Sequence, residues 1–559
     1  MPTLQFKGKT FVQNHHLAVK YHQLVPKKEL SLTDKISLHD NLIIQGDNLK
    51  ALKALLPTYA GKIDCIYIDP PYNTGKENWV YNDNVNSPMM QNWLGKVVDK
   101  EDLTRYDKWL CMMTPRLKLL RELLSEGGLI LIHINDYEIH SLRFLMDDVF
   151  GRDNLTCNFI WRTDGNFDNQ AKIKICHEYI VAYSKNIEKF EAPSVIDPNT
   201  SEGSKLFKEQ IRNTIVKNGT KNPKSILKLP IGFPANFENG TIQKRNNAWP
   251  IYKTDAVIKD YKLVKAVEVE SGWSSKELFE EFVSNGFVSI NDNKGQETKF
   301  EIISSGAIEV VKQRSDDQSH VLSVLMNMGN TQSMSTTLKE IGIDFDYPKP
   351  VSLSKYLLSL FNKKDALILD SFAGSGTTAH AVLELNKEDG GNRKFILIEQ
   401  EDYANTITAE RVRRVIKGVK TAKNENLKNG LGGTFSYFEL GPTIEMESIL
   451  RGKNLPSNEE FARYIFYTAT GEEFNEKKIN EKTGFIGETK NYELYMFYKP
   501  DVEWLKRNAL TLDGVKAMPK FKGKQRLVFA PAKYVDDETC RDNRIDFCQL
   551  PYEIYRIQK

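Results

Sequence analysis

Two short apolar runs, about 300 residues apart, each end on an aspartate that opens a specialised turn. The first, Ile63-Asp64-Cys65-Ile66-Tyr67-Ile68, leads straight into Asp69-Pro70-Pro71-Tyr72. The second, residues 366–369, leads into Asp370-Ser371-Phe372-Ala373-Gly374-Ser375-Gly376-Thr377-Thr378. Runs of this length and apolarity read as strands buried on both faces, which places them inside an α/β sheet. In open sheets of that kind, ligands bind beyond the carboxyl ends of the strands. Both aspartates therefore stand where chemistry is expected.

The intervening pattern extends this frame. Leu42-Ile43-Ile44 reads as a strand and residues 48–56 as a helix. A longer amphipathic helix is expected over 109–124, interrupted by Pro115 and stopped by Gly127-Gly128, with strands over 129–134 and 178–183. After the second motif come a helix (378–385) and a strand (395–398) ending at Glu399. Strands alternating with helices imply a parallel sheet with helices on both faces. The alternation is lost over 185–340. Residues 201–250 there hold nine Lys or Arg against three Glu, interleaved with Phe207, Phe233, Phe237 and Trp249. Composition alone would allow that stretch to be solvated loop. Gly430–Gly433 opens a distinct tail, whose pairs Tyr464 with Phe466 and Tyr495 with Phe497 are spaced like half-buried strands. The expected organisation is an N-terminal extension (1–40), a catalytic frame split into 41–184 and 341–430, an insertion (185–340) and a C-terminal α+β domain (431–559).

In the first motif, two prolines remove backbone donors and stiffen the turn. An acidic side chain and a free carbonyl then make two acceptors for an amino group, and Tyr72 offers a flat face to a base. In the second, glycines allow close backbone approach and the helix start favours a negative group. Glu399 stands where an acid can hold ribose hydroxyls. Taken alone, Gly374-x-Gly376-x-x-Ala379 also fits a nicotinamide-binding turn. A P-loop is excluded, because no G-x-x-x-x-G-K-[ST] occurs.

Together the two motifs resemble the amino-methylating DNA methyltransferases that use S-adenosylmethionine, in the β-class order with D-P-P-Y first and the glycine turn last. The resemblance extends to Gln45-Gly46-Asp47-Asn48, His177-Glu178-Tyr179, Tyr347-Pro348-Lys349-Pro350 and the stretch 68–75. With the long insertion and the tail, the chain most resembles the modification (Mod) subunit of type III restriction–modification systems. The family turn usually reads D-P-F-A-G-S-G-T-T, and Ser371 replaces its proline here. The resemblance implies a Rossmann-like methyltransferase sheet with circularly permuted motif order and an inserted target-recognition domain. It implies adenine N6 of double-stranded DNA as the target, reached by base flipping. Asp69, Pro70, Pro71 and Tyr72 would act at the flipped base. Asp370, Phe372, Gly374 and Gly376 would line the cofactor's methionine and ribose side, with Pro350, Ala373 and Thr377 in the same set. Glu399 would hold the ribose, Asp47 the adenine amine and Lys349 the methionine carboxylate.

Other readings are weaker. N4-cytosine methylation uses the same kind of turn and stays open, as does an adenine methyltransferase without a nuclease partner. Carbon-5 cytosine methylation needs a thiolate nucleophile, whereas Cys65 lies within an expected core strand. His133 and His177 read as groups that position loops. A nicotinamide oxidoreductase or a silent DNA-binding regulator would not need both motifs intact. The six cysteines form no C-x-x-C pair, so neither a zinc site nor a disulfide framework is expected, and no metal is. The net charge of +3 argues against a histone-like polycation without excluding a local basic face. No apolar run reaches the ~18 residues of a membrane span, so a cytoplasmic protein is expected. Expected partners are DNA, a second copy, and a separate ATP-dependent helicase–nuclease (Res) subunit.

Overall fold

The computed structural model describes residues 4–74, 104–163, 172–204, 207–293, 295–313, 320–361, 363–444, 455–472, 474–519 and 523–550. Gly75, which closes the 68–75 resemblance, lies outside them. The chain forms two compact units, Met1–Glu191 with Leu322–Lys559, and Ala192–Val321. Among the described residues no helix is long and apolar enough to cross a membrane.

The larger unit is organised by a ten-stranded sheet. Its first half contains β1 (His22–Pro26), β2 (Leu42–Gln45), α1 (Asn48–Tyr59), β3 (Ile63–Ile68), α2 (Arg105–Leu123) and β4 (Leu124–Ile134). Then follow α3 (Ile139–Phe150), β5 (Leu155–Arg162) and β6 (His177–Ser184). Beyond the smaller unit come β7 (Val324–Leu325), α4 (Val351–Leu358), β8 (Leu367–Asp370), α5 (Thr377–Asp389), β9 (Lys394–Glu399), α6 (Glu410–Lys417) and β10 (Ser436–Thr443). The strand order is β1-β10-β2-β9-β8-β3-β4-β6-β5-β7. Thus the two motif strands are hydrogen-bonded neighbours: Ile368 pairs with Cys65 and Leu369 with Ile66, in parallel. On the other side of β8, Asp370 pairs with Leu397, and Glu399 pairs with Gln45 of β2. All four strands point the same way, so Asp69, Asp370, Glu399 and Asp47 meet at one sheet edge.

Burial explains why these runs are strands. Ile43, Ile44, Ile66, Ile68, Leu369, Ile396 and Ile398 are essentially inaccessible, and Leu49, Leu52, Leu56, Trp109, Met113 and Leu120 from α1 and α2 pack against the sheet. Three expectations change. The sheet is mixed, because β6 runs antiparallel to both β4 and β5; antiparallel strands need no crossover helix. Gly127 and Gly128 do not end α2, since they lie inside β4, where the register slips between the Ile63–Leu124 and Cys65–Leu129 pairs. Tyr464 and Phe466 sit on a helix, Asn458–Thr470, whose start Ser457 and Glu460 fix as a reciprocal cap. Phe461, Ile465 and Phe466 form its buried stripe.

The smaller unit is a folded β-rich body rather than solvated loop. Lys224–Leu229, Val267–Gly272 and Ile251–Tyr252 make one sheet. Gln210–Thr214, Ile290–Asn291, Glu297–Ile302 and Ile308–Gln313 make another. Phe233, Phe279, Phe282 and Phe300 are buried together, at ring spacings of 5.4 to 6.2 Å. Expected surface aromatics are thus partly core, but Phe207 and Trp249 remain exposed.

Candidate functional site

The carboxyl ends of β3, β8 and β9 line a cavity of about 790 Å³. Of the expected residues, Asp47, Asp69, Pro71, Lys349, Asp370, Phe372, Ala373, Gly374, Thr377 and Glu399 form its wall. Tyr72 is tied to that wall through Lys349. Pro350 stands behind it as the N-cap of α4, and Gly376 as the N-cap of α5. Pro70 is buried. The Pro71 carbonyl accepts the Trp109 indole N–H at 2.7 Å.

One half of the site is a cation between two carboxylates. Lys349 Nζ lies 2.9 Å from Asp69 Oδ2 and 3.3 Å from Glu178 Oε2. It also donates to the Tyr72 hydroxyl at 2.9 Å, and that hydroxyl donates to Glu178 Oε2 at 2.9 Å. The same ammonium stands 5.0 Å from the Tyr72 ring centroid. Burial pushes the Asp69 carboxyl upward, but Lys349 outweighs it and holds Asp69 below the usual carboxylate range. Burial likewise opposes the ammonium, and the two carboxylates reverse that, so Lys349 stays charged. Burial and the neighbouring acids drive the Tyr72 phenol well above its ordinary value. Asp69 keeps about a third of its side chain exposed (32%), so it is reachable from the cavity.

The other half is a backbone cradle. Gly374 and Gly376 have φ of 51° and 81°, where a side chain would be strained. Glu399 fastens the turn: Oε2 accepts the Gly374 N–H at 2.7 Å and Oε1 the Glu401 N–H at 3.0 Å. Asp370 Oδ1 accepts the Phe372 N–H at 3.0 Å and Oδ2 the Thr378 hydroxyl at 2.5 Å. Burial raises both Asp370 and Glu399 to about 7, despite these bonds. Asp47 caps α1 by accepting the Lys50 N–H at 3.1 Å.

Sequence reasoning did not single out several groups here. Glu178 lay within a motif of the resemblance but had no role; nothing local links residue 178 to residue 349. Arg116 on the cavity wall donates to Asn48, which in turn donates to the Ser371 carbonyl. Fully buried Arg411 reaches Ser375 Oγ at 2.6 Å and Thr377 Oγ1 at 3.0 Å, bracing the glycine turn from behind. Phe345 and Tyr403 meet edge-on at 5.8 Å along the wall. His133 is buried, bonded to the Tyr67 hydroxyl at 2.7 Å, and lowered by burial to about 3, so it is neutral. His177 bonds Tyr179 at 3.0 Å. Cys65 is core, its thiol pushed up by burial.

Comparison with known proteins agrees with this geometry. The DNA methylase family model matches residues 63–410, which bracket both motif strands. The type III restriction–modification enzyme EcoPI Mod subunit of Escherichia phage P1 is 32% identical over 446 residues, covering 73% of this chain and 67% of that protein. The StyLTI Mod subunit of Salmonella typhimurium is 29% identical, covering 77% of this chain and 65% of that protein. The type II methyltransferase M.KpnI of Klebsiella pneumoniae is 30% identical, covering 66% and 82%. The chain spans about two thirds of the length of the Mod subunits it matches.

Proposed function

The chain belongs to the DNA methylase family, and from that premise we propose that it is a site-specific DNA adenine-N6 methyltransferase, the modification subunit of a type III restriction–modification system. The observation that carries this reading is the pairing of β3 with β8, which gives an ionised Asp69 and the glycine turn one common cavity. The cavity suits S-adenosylmethionine in three ways: its volume, the glycine backbone with no Cβ at Gly374, and the acids Asp370 and Glu399 beside an aromatic wall of Phe345 and Tyr403. When bound, that cofactor supplies an electrophilic methyl group. Gly374, Phe372, Asp370, Glu399 and Thr377 would hold it, with Asp47 at the far end.

The chain's own residues then orient the amine. An adenine amino group is a poor nucleophile, because its lone pair is delocalised into the ring. Asp69, kept ionised by Lys349, accepts one amine hydrogen, and the Pro70 carbonyl is the candidate second acceptor. Two acceptors in a nonplanar arrangement favour a pyramidal nitrogen, and in-line placement supplies much of the remaining acceleration. Tyr72 is fixed through its hydroxyl, which would hold the ring in place for a flipped base to stack on. The Lys349 ammonium lies at Asp69 and Glu178, so in this reading it tunes the acceptor instead of holding the methionine carboxylate.

Unit Ala192–Val321, the part of the 185–340 insertion that folds as a separate unit, is assigned to reading DNA sequence. Its basic, aromatic segment suits phosphate contacts, with a few polar side chains reading base edges. Exchanging it with that of a relative of different specificity should transfer the site. The tail from about 440 is assigned to assembly with a second copy or the Res subunit, and light scattering of a 1–444 chain, which keeps β10 whole, tests that. The reaction itself is tested by incubating the protein with unmodified DNA and labelled S-adenosylmethionine, then identifying the modified nucleoside by mass. N6-methyladenine is expected; N4-methylcytosine would transfer the same site to the other amino base, and no modified base would overturn the reading.

A further inference from the structure

Asn73 leaves the Asp69–Tyr72 turn in the left-handed region, with φ of 58°, and is fully buried. Asparagine tolerates that conformation better than most residues, but its side chain must then be accommodated. It points to Glu138, the N-cap residue of α3, which is also fully buried. Asn73 Nδ2 donates to Glu138 Oε1 at 2.5 Å. The other two atoms of the pair, Asn73 Oδ1 and Glu138 Oε2, are both buried and have no hydrogen-bond partner.

Buried polar atoms without partners are rare, and two of them on one bonded pair call for a common cause. If Glu138 were ionised, both orphans would be acceptors and neither could satisfy the other. A proton on Oε2 resolves both at once: the acid O–H donates to Asn73 Oδ1 while Asn73 Nδ2 donates to Oε1, closing a two-bond acid–amide ring. We propose that Glu138 is a positioning residue that works protonated, its acid proton locking Asn73 and thereby the exit of the Asp69–Tyr72 turn. Burial favours that state, raising the carboxyl to about 7. Against it act the Asn73 bond, the Ser141 hydroxyl from the first turn of α3, and the Arg105 guanidinium from α2. Arg105 is partly exposed and is engaged with the Tyr106 hydroxyl at 2.8 Å, so its pull is partly screened.

The inference rests on the methyltransferase reading for its activity readout only. Glu138→Gln keeps the shape and replaces the acid O–H by an amide N–H, so it mimics the protonated state permanently. In the full-length protein, E138Q is expected to keep methyl transfer within about threefold of wild type near neutral pH. It should also lose the alkaline fall in rate that sets in as Glu138 ionises. E138A should lose activity at every pH. Two measurements need no turnover. The infrared difference between wild type and E138Q at about pH 6 should contain a protonated-acid carbonyl band. In thermal unfolding, the wild type should lose stability relative to E138Q as pH rises from about 4.5 to about 7, because over that window the unfolded chain gives up the Glu138 proton while the folded chain keeps it. An absent acid band, or E138Q as impaired as E138A near neutral pH, would overturn the proposal. A chain with no methyl transfer at all would overturn the methyltransferase reading while leaving the infrared and unfolding comparisons decisive for Glu138.

Discussion

Asp69 and Asp370 end adjacent parallel strands, face the same cavity, and behave oppositely toward a proton. Both are acids at the carboxyl end of a buried strand, and burial pushes both upward. Asp69 has Lys349 at 2.9 Å and is held below the ordinary carboxylate range. Among the described residues Asp370 has only neutral donors, the Thr378 hydroxyl and the Phe372 N–H, and it rises to about 7. A cation within contact distance outweighs desolvation where neutral hydrogen bonds do not. In the proposed reading, the site thereby keeps a charged acceptor where the target amine would sit, and near-neutral acids where the cofactor's hydroxyls and amino groups would be held.

Removing the charged acceptor should have the largest effect. Asp69→Ala is expected to lower methyl transfer by about a hundredfold or more while calorimetric affinity for S-adenosylmethionine stays close to wild type. A rate within about threefold of wild type would sink the role given to Asp69. On the other side of the contrast, Glu399→Ala leaves the Gly374 and Glu401 N–H groups without their acceptor, and Gly374→Val forces a β-branched residue to φ of 51°. Each should weaken cofactor binding by about tenfold or more, from an expected cost of ~1–2 kcal/mol. Unchanged titration curves for both would show that the glycine turn is not the cradle.

A subtler change would convert one half of the site toward the other. In Lys349→Met, burial acts on Asp69 with only His133 and the Tyr72 hydroxyl left to oppose it, so its carboxyl should rise. The acid limb of kcat/KM should then move up by about one pH unit or more, a shift that a purely structural lysine would not produce. The smallest effect is expected for Asp370→Asn. The folded value of about 7 lies above that of a free aspartate, so its contribution to stability is fullest below about pH 4 and is lost as pH rises toward 7. The melting temperature of the variant, measured against pH, should decline less over that window by a few degrees. Parallel curves would mean that Asp370 is ionised throughout.

The local features of this site were legible without coordinates. A run such as Ile63–Ile68 can hardly be anything but a buried strand, D-P-P-Y and the glycine turn state their own backbone geometry, and an acid at the end of each strand follows from position. These are properties of neighbouring residues, and local sterics and burial decide them. What needed the tertiary structure was every relation across long separations. Strand order set β3 beside β8, and antiparallel pairing turned β6 against β4. Packing also brought Lys349 between Asp69 and Glu178, which lie 280 and 171 residues before it in the chain. The same holds for protonation: Asp69 and Asp370 look alike in the sequence, and only the charge that folding brings within 3 Å of one and not the other makes them different acids.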